Sequence, residues 1–184
     1  MQNNLAELRS VDIDIGVLRT EWEAQVVYQF DHAWEARNYV SFEFFTAYYK
    51  QLLLDIENKI GETPLNYIIQ IHDPKLITDK WYLNIAHKDA DRLACITIPV
   101  YYNRMEPINF YDDVFEKMPE HGKPITTRPN QVGQYSECHP TLVNVNNYHN
   151  VRILDEVEPR IFIQMSYNIH FDDLIEKNKN MYVL

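Results

Sequence analysis

The sequence is poor in the residues that mark several common classes of protein. Its 184 residues include only four glycines and two cysteines. Cys95 and Cys138 form neither a CxxC pair nor the spacing of a zinc finger, so we expect two reduced thiols rather than a disulfide or a cysteine-based metal site. Repeats and low-complexity segments are also lacking. The sequence therefore offers no boundary at which the chain would divide into several domains.

Clusters of Lys and Arg, long apolar runs and a signal-peptide pattern are lacking as well. The formal net charge is −10, and because binding to a phosphate backbone needs a basic surface, we do not expect nucleic acid as a partner. No apolar run approaches the length that spans a bilayer. The first residues lack the basic and apolar regions of a secretory signal. We therefore expect a cytoplasmic protein without a membrane segment.

The overall composition of the chain is that of a globular domain. Hydrophobic residues make up 46% of the chain and charged residues 24%, and a chain of this length can bury a core of its own. We predict a single domain over residues 1–184. Residues 1–64 would supply mostly helical support, residues 65–168 a β-rich core, and residues 169–184 a C-terminal tail.

Two N-terminal stretches carry the spacing of amphipathic helices. Apolar residues recur at Ile15, Leu18, Trp22 and Val26, which predicts a helix over residues 14–26. A longer apolar stripe predicts a second helix over residues 41–60, ended by Gly61.

The rest of the chain has the sequence pattern of short strands separated by turn-forming residues. Helices followed by strands, with no helices between the strands, do not suit a parallel α/β sheet. We predict a mainly β fold with N-terminal helices, in which a double-stranded β-helix (a jelly-roll or cupin-like barrel) packs against the helices. The predicted strands are Leu65–His72, Trp81–His87, Arg92–Val100, Ile108–Tyr111, Gln131–Ser136, Leu142–Asn146, Tyr148–Leu154 and Arg160–Asn168.

A histidine and a carboxylate stand just before the most apolar of these strands. In extended chain, residues two apart project to the same side, so His87 and Asp89 could bind one metal ion. His149, at the start of a later strand, is the candidate third ligand. Asp91 competes with Asp89, but its spacing from His87 suits a strand face less well.

The His-x-Asp pattern alone is a weak signal, because it occurs a second time at His170 and Asp172. That copy lies near the C-terminus, with too little chain after it to complete a barrel. We interpret it as the start of a solvated tail. Each histidine taken singly is also readily explained as a surface or hydrogen-bonded residue.

Arg160 adds an independent observation to the triad. It opens an apolar strand eleven residues after His149, and an arginine in such a place is costly to bury unless an anion pairs with it. Its planar guanidinium suits capture of a carboxylate through two hydrogen bonds.

In the order His87-x-Asp89, His149 and Arg160, the chain resembles the Fe(II)- and 2-oxoglutarate-dependent dioxygenase superfamily, most closely its compact prolyl-hydroxylase-like branch. The resemblance covers residues 65–168. It implies that the two histidines and the aspartate bind Fe(II) as a 2-His-1-carboxylate triad and that Arg160 binds the distal carboxylate of 2-oxoglutarate. It further implies an enzyme that hydroxylates a substrate while the cosubstrate is converted to succinate and CO2.

Several residues near the predicted pocket are further candidates. Those that could hydrogen-bond the cosubstrate, or simply pack, are Tyr82, Asn84, Thr97 and Tyr101. Arg92 and Arg152 could contact substrate, with plain surface charges as the alternative, and Gln164 shares a strand side with Arg160. The sequence does not identify the substrate, which we expect to be a small molecule or a peptide.

Two other kinds of protein fit much of the same pattern. One is a cupin-like metal-binding barrel, such as an isomerase or thiol oxidase, without 2-oxoglutarate chemistry. The other is a non-enzymatic jelly-roll that serves as a binding or assembly module. Arg160 discriminates between the first alternative and an oxygenase, because a cupin needs no carboxylate-binding arginine after its last ligand.

Overall fold

The computed structural model describes residues 4–21, 37–40, 45–72, 86–101, 107–111, 131–134, 139–151 and 160–183. These residues form antiparallel sheets with a few helices. The helices are α1 (residues 15–21), α2 (Ala47–Ile60) and α3 (Phe171–Lys177). The strands are β1 (Leu5–Leu8), β2 (Arg37–Val40), β3 (Asn66–His72), β4 (Ala94–Tyr101), β5 (Pro107–Phe110), β6 (Gln131–Gln134), β7 (Thr141–Val143), β8 (His149–Val151), β9 (Arg160–Tyr167) and β10 (Tyr182–Val183).

Helix α2 has a defined signal at each end. The Thr46 side chain accepts a hydrogen bond from the backbone N–H of Tyr49, and Gly61 ends the helix in the left-handed conformation with φ of 66°. Its buried face packs against the larger sheet, and the Tyr49 hydroxyl donates to the carbonyl of Leu18 at 2.7 Å, which ties α2 to α1. The predicted helix and its end at Gly61 are confirmed over residues 47–60.

The larger sheet has seven strands in the order β10-β1-β7-β4-β9-β3-β2, and all its neighbouring strands are antiparallel. Strand β9 lies between β4 and β3 and is buried on both faces. Ile161, Ile163 and Met165 face the core shared with the helices, whereas Phe162 belongs to a second core on the opposite face. A strand buried on both faces reads as a near-continuous apolar run, which explains the pattern in the sequence.

The second core lies between the larger sheet and a three-stranded sheet of order β6-β5-β8. Phe162, Cys95 and Val143 from the larger sheet meet Ile108 and Phe110 from the smaller one. Gly133 in β6 approaches the larger sheet so closely that a Cβ there would stand 1.9 Å from a terminal methyl of Leu5 in β1. The two sheets therefore pack face to face, and the candidate site lies at the edge of this interface.

The chain ends depart from the predicted layout. The N-terminal region holds β1 and β2 as well as helices, and the described part of the C-terminal segment, residues 169–183, does not form a solvated tail. Phe171 and Leu174 of α3 are buried, and β10 pairs with β1. The partner of β10 lies at the other end of the chain, so no local pattern reveals this pairing.

The remaining strand predictions agree with the structure to within a few residues at those ends that it describes. The last residues of two predicted strands, 135–136 and 152–154, and residues 81–85 of the predicted strand Trp81–His87 lie outside the described residues. The predicted first helix is confirmed over residues 15–21, and its last part, residues 22–26, also lies outside them. Among the helices that the structure describes, none is both long and apolar enough to cross a membrane.

Replacing Gly61 with alanine should destabilise the protein by about 1 kcal/mol, because an L-residue pays a steric penalty in the left-handed region. A Cβ at this position meets no atom within 4 Å, so the penalty is conformational rather than steric crowding by neighbours. Urea denaturation measures the change. Gly61→Asn is the matched control and should lose less stability than Gly61→Ala, since asparagine tolerates the left-handed conformation. Equal stability of the wild type and Gly61→Ala would contradict the assignment of this conformation to Gly61.

Candidate metal centre

The two candidate histidine ligands are direct cross-strand neighbours. The backbone N–H of His87 donates to the carbonyl of His149 at 2.9 Å, and the reverse hydrogen bond has the same length. Residues paired in this way carry their side chains on the same side of the sheet. The two imidazole rings accordingly lie 4.7 Å apart between centroids. Residues distant in sequence are thus brought together by backbone pairing.

Asp89 joins the histidines from the same extended segment. Its backbone N–H donates to the carbonyl of Val145 at 3.0 Å, which keeps the segment alongside the chain that leads to His149. Its Oδ1 lies 3.6 Å from Nε2 of His87. One ligand atom from each of His87, Asp89 and His149 lies within 4.8 Å of the others, and this is the one such group found among the described residues.

A buried arginine neutralises the aspartate. Nε of Arg92 donates to Oδ2 of Asp89 at 2.6 Å, and both side chains are almost fully buried, at 2% and 3% exposed. Desolvation acts to lower the pKa of Arg92, but the net shift is upward because Cys95 and the carboxylates of Asp89 and Asp91 favour the charged form. The guanidinium therefore stays protonated. A buried carboxylate without this partner would be strongly unfavourable.

The arginine is itself anchored to the larger sheet. Its Nη1 donates to Oε1 of Gln164 at 3.1 Å and to Oγ of Ser166 at 3.2 Å, both on β9. Gln164 in turn donates to Oγ1 of Thr97 on β4 at 3.4 Å. The carboxylate of Asp89 is thus connected through side-chain hydrogen bonds to two adjacent central strands.

His149 is held in one tautomer by its surroundings. Its Nδ1 lies 2.9 Å from the carbonyl oxygen of Asn147, and because a carbonyl can only accept, Nδ1 must carry the hydrogen. Nε2 then carries the lone pair that a metal requires. Burial lowers the pKa of His149 to about 4, with His87 acting in the same direction. The imidazole is therefore neutral at physiological pH, as metal binding requires.

The turn before His149 is secured by the N-terminal segment. The buried side chain of Asn4 accepts hydrogen bonds from the side-chain amides of Asn144 at 3.2 Å and Asn147 at 2.7 Å. The backbone carbonyl of Asn4 also accepts from the N–H of Asn144. Since this turn holds His149 through Asn147 and Asp89 through Val145, Asn4 supports two ligands without contacting either.

The triad is buried on one side and open on the other. The side chain of His87 is 37% exposed, whereas that of Asp89 is 3% exposed and His149 is buried against the ring of Phe110. An ion at this place would have solvent access on the His87 side. Further ligands of such an ion would therefore approach from that side.

The structure describes only some of the other predicted site residues. Tyr82, Asn84 and Arg152 lie outside the described residues. For Tyr101 and Arg160 the backbone alone is described: Tyr101 is the last residue of β4, and Arg160 is the first of β9, opposite His72 in β3.

Thr97, Gln164 and Arg92 form one connected group beside the triad. The burial of Arg92 excludes the alternative of a plain surface charge. Its bonds to three protein side chains favour support of Asp89 over the substrate contact that the sequence suggested.

Sequence reasoning missed the residues that support the ligands. Ser166 and Asn4 carry no local signal, since their partners are remote in the chain. Arg92 follows Asp89 by three residues, a spacing that can form an ion pair, but sequence alone does not reveal that the pair is buried. The copy at His170 and Asp172 is exposed at the start of α3 and belongs to no metal-binding group among the described residues.

No family model matches the chain, and no curated protein matches it at a significant level. The site must therefore be interpreted from its own geometry and donor chemistry.

Replacing Asn4 with alanine should weaken metal binding by roughly tenfold, the lower end of the effect expected for residues that orient ligands. The reason is that Asn144 and Asn147 lose their shared acceptor and the turn before His149 loosens. Titration with Mn(II), followed by the electron paramagnetic resonance signal of the free ion, measures the affinity. Asn58→Ala, on the exposed face of α2, is the control and should leave it unchanged. A less stable Asn4→Ala protein with wild-type affinity would show that this network serves folding alone.

Proposed function

We propose that the protein is an Fe(II)- and 2-oxoglutarate-dependent oxygenase that hydroxylates a small molecule or a peptide. The observation that carries this proposal is the convergence of His87, Asp89 and His149 at one place that is open on a single side. Two imidazoles and one carboxylate, arranged on one face of an ion, are the donor set of non-haem iron oxygenases.

The ligands fit the chemistry that such an ion supplies. Three protein donors leave three positions of an octahedral ion for other ligands, enough for a chelating 2-oxo acid and for oxygen. When bound, iron and 2-oxoglutarate would activate oxygen for hydroxylation of the substrate, with release of succinate and CO2. The protein's own part is to hold the neutral imidazole of His149 in the ligating tautomer and to orient Asp89 through Arg92.

The strand order supports a double-stranded β-helix as the frame of this site. From β3 to β9 the chain passes repeatedly between the sheets: β3, β4, β7 and β9 belong to the larger sheet, whereas the bridge at His87, β5, β6 and β8 belong to the smaller side. Repeated crossing between two packed antiparallel sheets is the arrangement of jelly-rolls. His87 and His149 pair at one edge of this proposed barrel.

The proposed cosubstrate site extends from the triad along β9. Arg160 begins this strand, and alternation along the strand assigns position 160 to the same row as Phe162 and Gln164. We propose that Arg160 binds the distal carboxylate of 2-oxoglutarate. Thr97, Tyr82 and Tyr101 are the further candidates for hydrogen bonds to the cosubstrate.

Anaerobic addition of Fe(II) and then 2-oxoglutarate should produce the visible charge-transfer band of a 2-oxo acid chelated to iron. Absorption spectroscopy detects the band. His87→Ala and Asp89→Ala should abolish it because each removes a ligand. His170→Ala is the matched control and should retain it, since this exposed histidine belongs to the second His-x-Asp copy.

The same titration with Fe(II) and 2-oxoglutarate, carried out on the Arg160→Ala variant, tests the role of Arg160 separately. Iron should still bind, but the affinity for 2-oxoglutarate should fall by roughly 10- to 150-fold, as expected for hydrogen bonds to a charged group worth about 1.5–3 kcal/mol. Iron binding without any band in the wild type would instead favour a cupin-like metal barrel. Failure to bind iron at all would favour a non-enzymatic module.

A further inference from the structure

We propose that Arg92 confines Asp89 to coordination through a single oxygen and thereby keeps open a metal position that the carboxylate would otherwise fill. Arg92 is in this view a positioning residue, acting through Asp89 rather than on substrate. The inference rests on the proposed metal site, and it concerns how many positions that site leaves for other ligands.

The two oxygens of Asp89 have different surroundings. Oδ2 accepts the 2.6 Å hydrogen bond from Nε of Arg92, whereas Oδ1 lies 3.6 Å from Nε2 of His87, on the side of the triad. An ion bound by the three ligands would therefore meet Oδ1. For Oδ2 to bind as well, the carboxylate would have to rotate and break a short, charge-assisted hydrogen bond in a buried environment.

Arg92 cannot readily follow such a rotation. Its Nη1 is fixed by Gln164 and Ser166, and Gln164 is fixed in turn by Thr97. These partners lie on β9 and β4, two strands paired along almost their whole length. The guanidinium is planar and rigid, so its hydrogen bonds to β9 also fix the direction in which its Nε–H points toward Asp89.

The consequence concerns the number of open positions on the ion. Carboxylates bind metals through one or both oxygens, and a carboxylate without a competing hydrogen-bond donor can use both. Two-oxygen binding by Asp89 would leave two positions rather than three. A chelating cosubstrate would then occupy both, and none would remain for oxygen.

Water-proton relaxation of the Mn(II)-loaded protein tests this inference, because it reports the number of exchangeable waters on the ion independently of any activity. At saturating protein, the wild type should show the relaxivity of an ion with three open positions. Arg92→Met removes the donors but keeps a long apolar side chain, and its relaxivity should fall to roughly two thirds of the wild-type value. Arg9→Met, at an exposed arginine paired with Glu7, is the matched control and should keep the wild-type relaxivity.

Circular dichroism establishes whether each variant is folded. Should Arg92→Met fail to fold, the double variant Gln164→Leu/Ser166→Ala keeps the charge that compensates Asp89 but removes the two β9 partners of Nη1. The guanidinium can then follow a rotation of the carboxylate, so the relaxivity should also fall. Wild-type relaxivity in the folded variant would overturn the inference. Failure of the wild type to bind Mn(II) would instead contradict the proposed metal site, so the two failures are distinguishable.

Discussion

The backbone pairing between His87 and His149 determines where the candidate metal ligands of this protein lie. Two reciprocal hydrogen bonds of 2.9 Å join residues that are far apart in sequence and direct both imidazoles to one side. Asp89 then reaches the same place because the segment from His87 onward stays extended alongside the turn before His149. Without this pairing, the three side chains would have no common location.

Charge compensation is the second requirement of the site. A carboxylate that is 3% exposed needs a partner, and Arg92 supplies it while remaining tied to the central strands of the larger sheet. The arginine that compensates the buried charge of Asp89 would also orient this carboxylate toward a bound ion. The exposed side of His87 leaves one direction of approach. The site thus combines a rigid, buried support with an open face.

Local sequence patterns predicted much of the framework. The apolar stripe and Gly61 located α2, and runs of β-branched and aromatic residues located most of the strands, because burial on one or both faces leaves a clear periodicity. The i,i+2 relation of His87 and Asp89 likewise follows from strand geometry. The pairing of β10 with β1, and the support of the ligand turn by Asn4, could not be predicted, since each joins the N-terminal segment to residues remote in the sequence.

Arg92 shows most clearly where such prediction stops. It follows two aspartates just before an apolar strand, a position equally typical of a surface turn. Its burial follows from Gln164 and Ser166, polar residues on the inner face of an otherwise apolar strand, and only the register of β9 against β4 brings them beneath it. The alternation of side chains along β9 could have indicated that Gln164 and Ser166 form a polar row on one face. It could not have indicated that Arg92 packs against this row.

The most direct test of the central claim is anomalous diffraction from crystals of the protein soaked in Mn(II). The account predicts one strong peak in contact with Oδ1 of Asp89 and with an imidazole nitrogen each of His87 and His149, and none beside His170 and Asp172. Absence of a peak at the triad in an ion-saturated crystal, or a peak only at the second His-x-Asp copy, would contradict it.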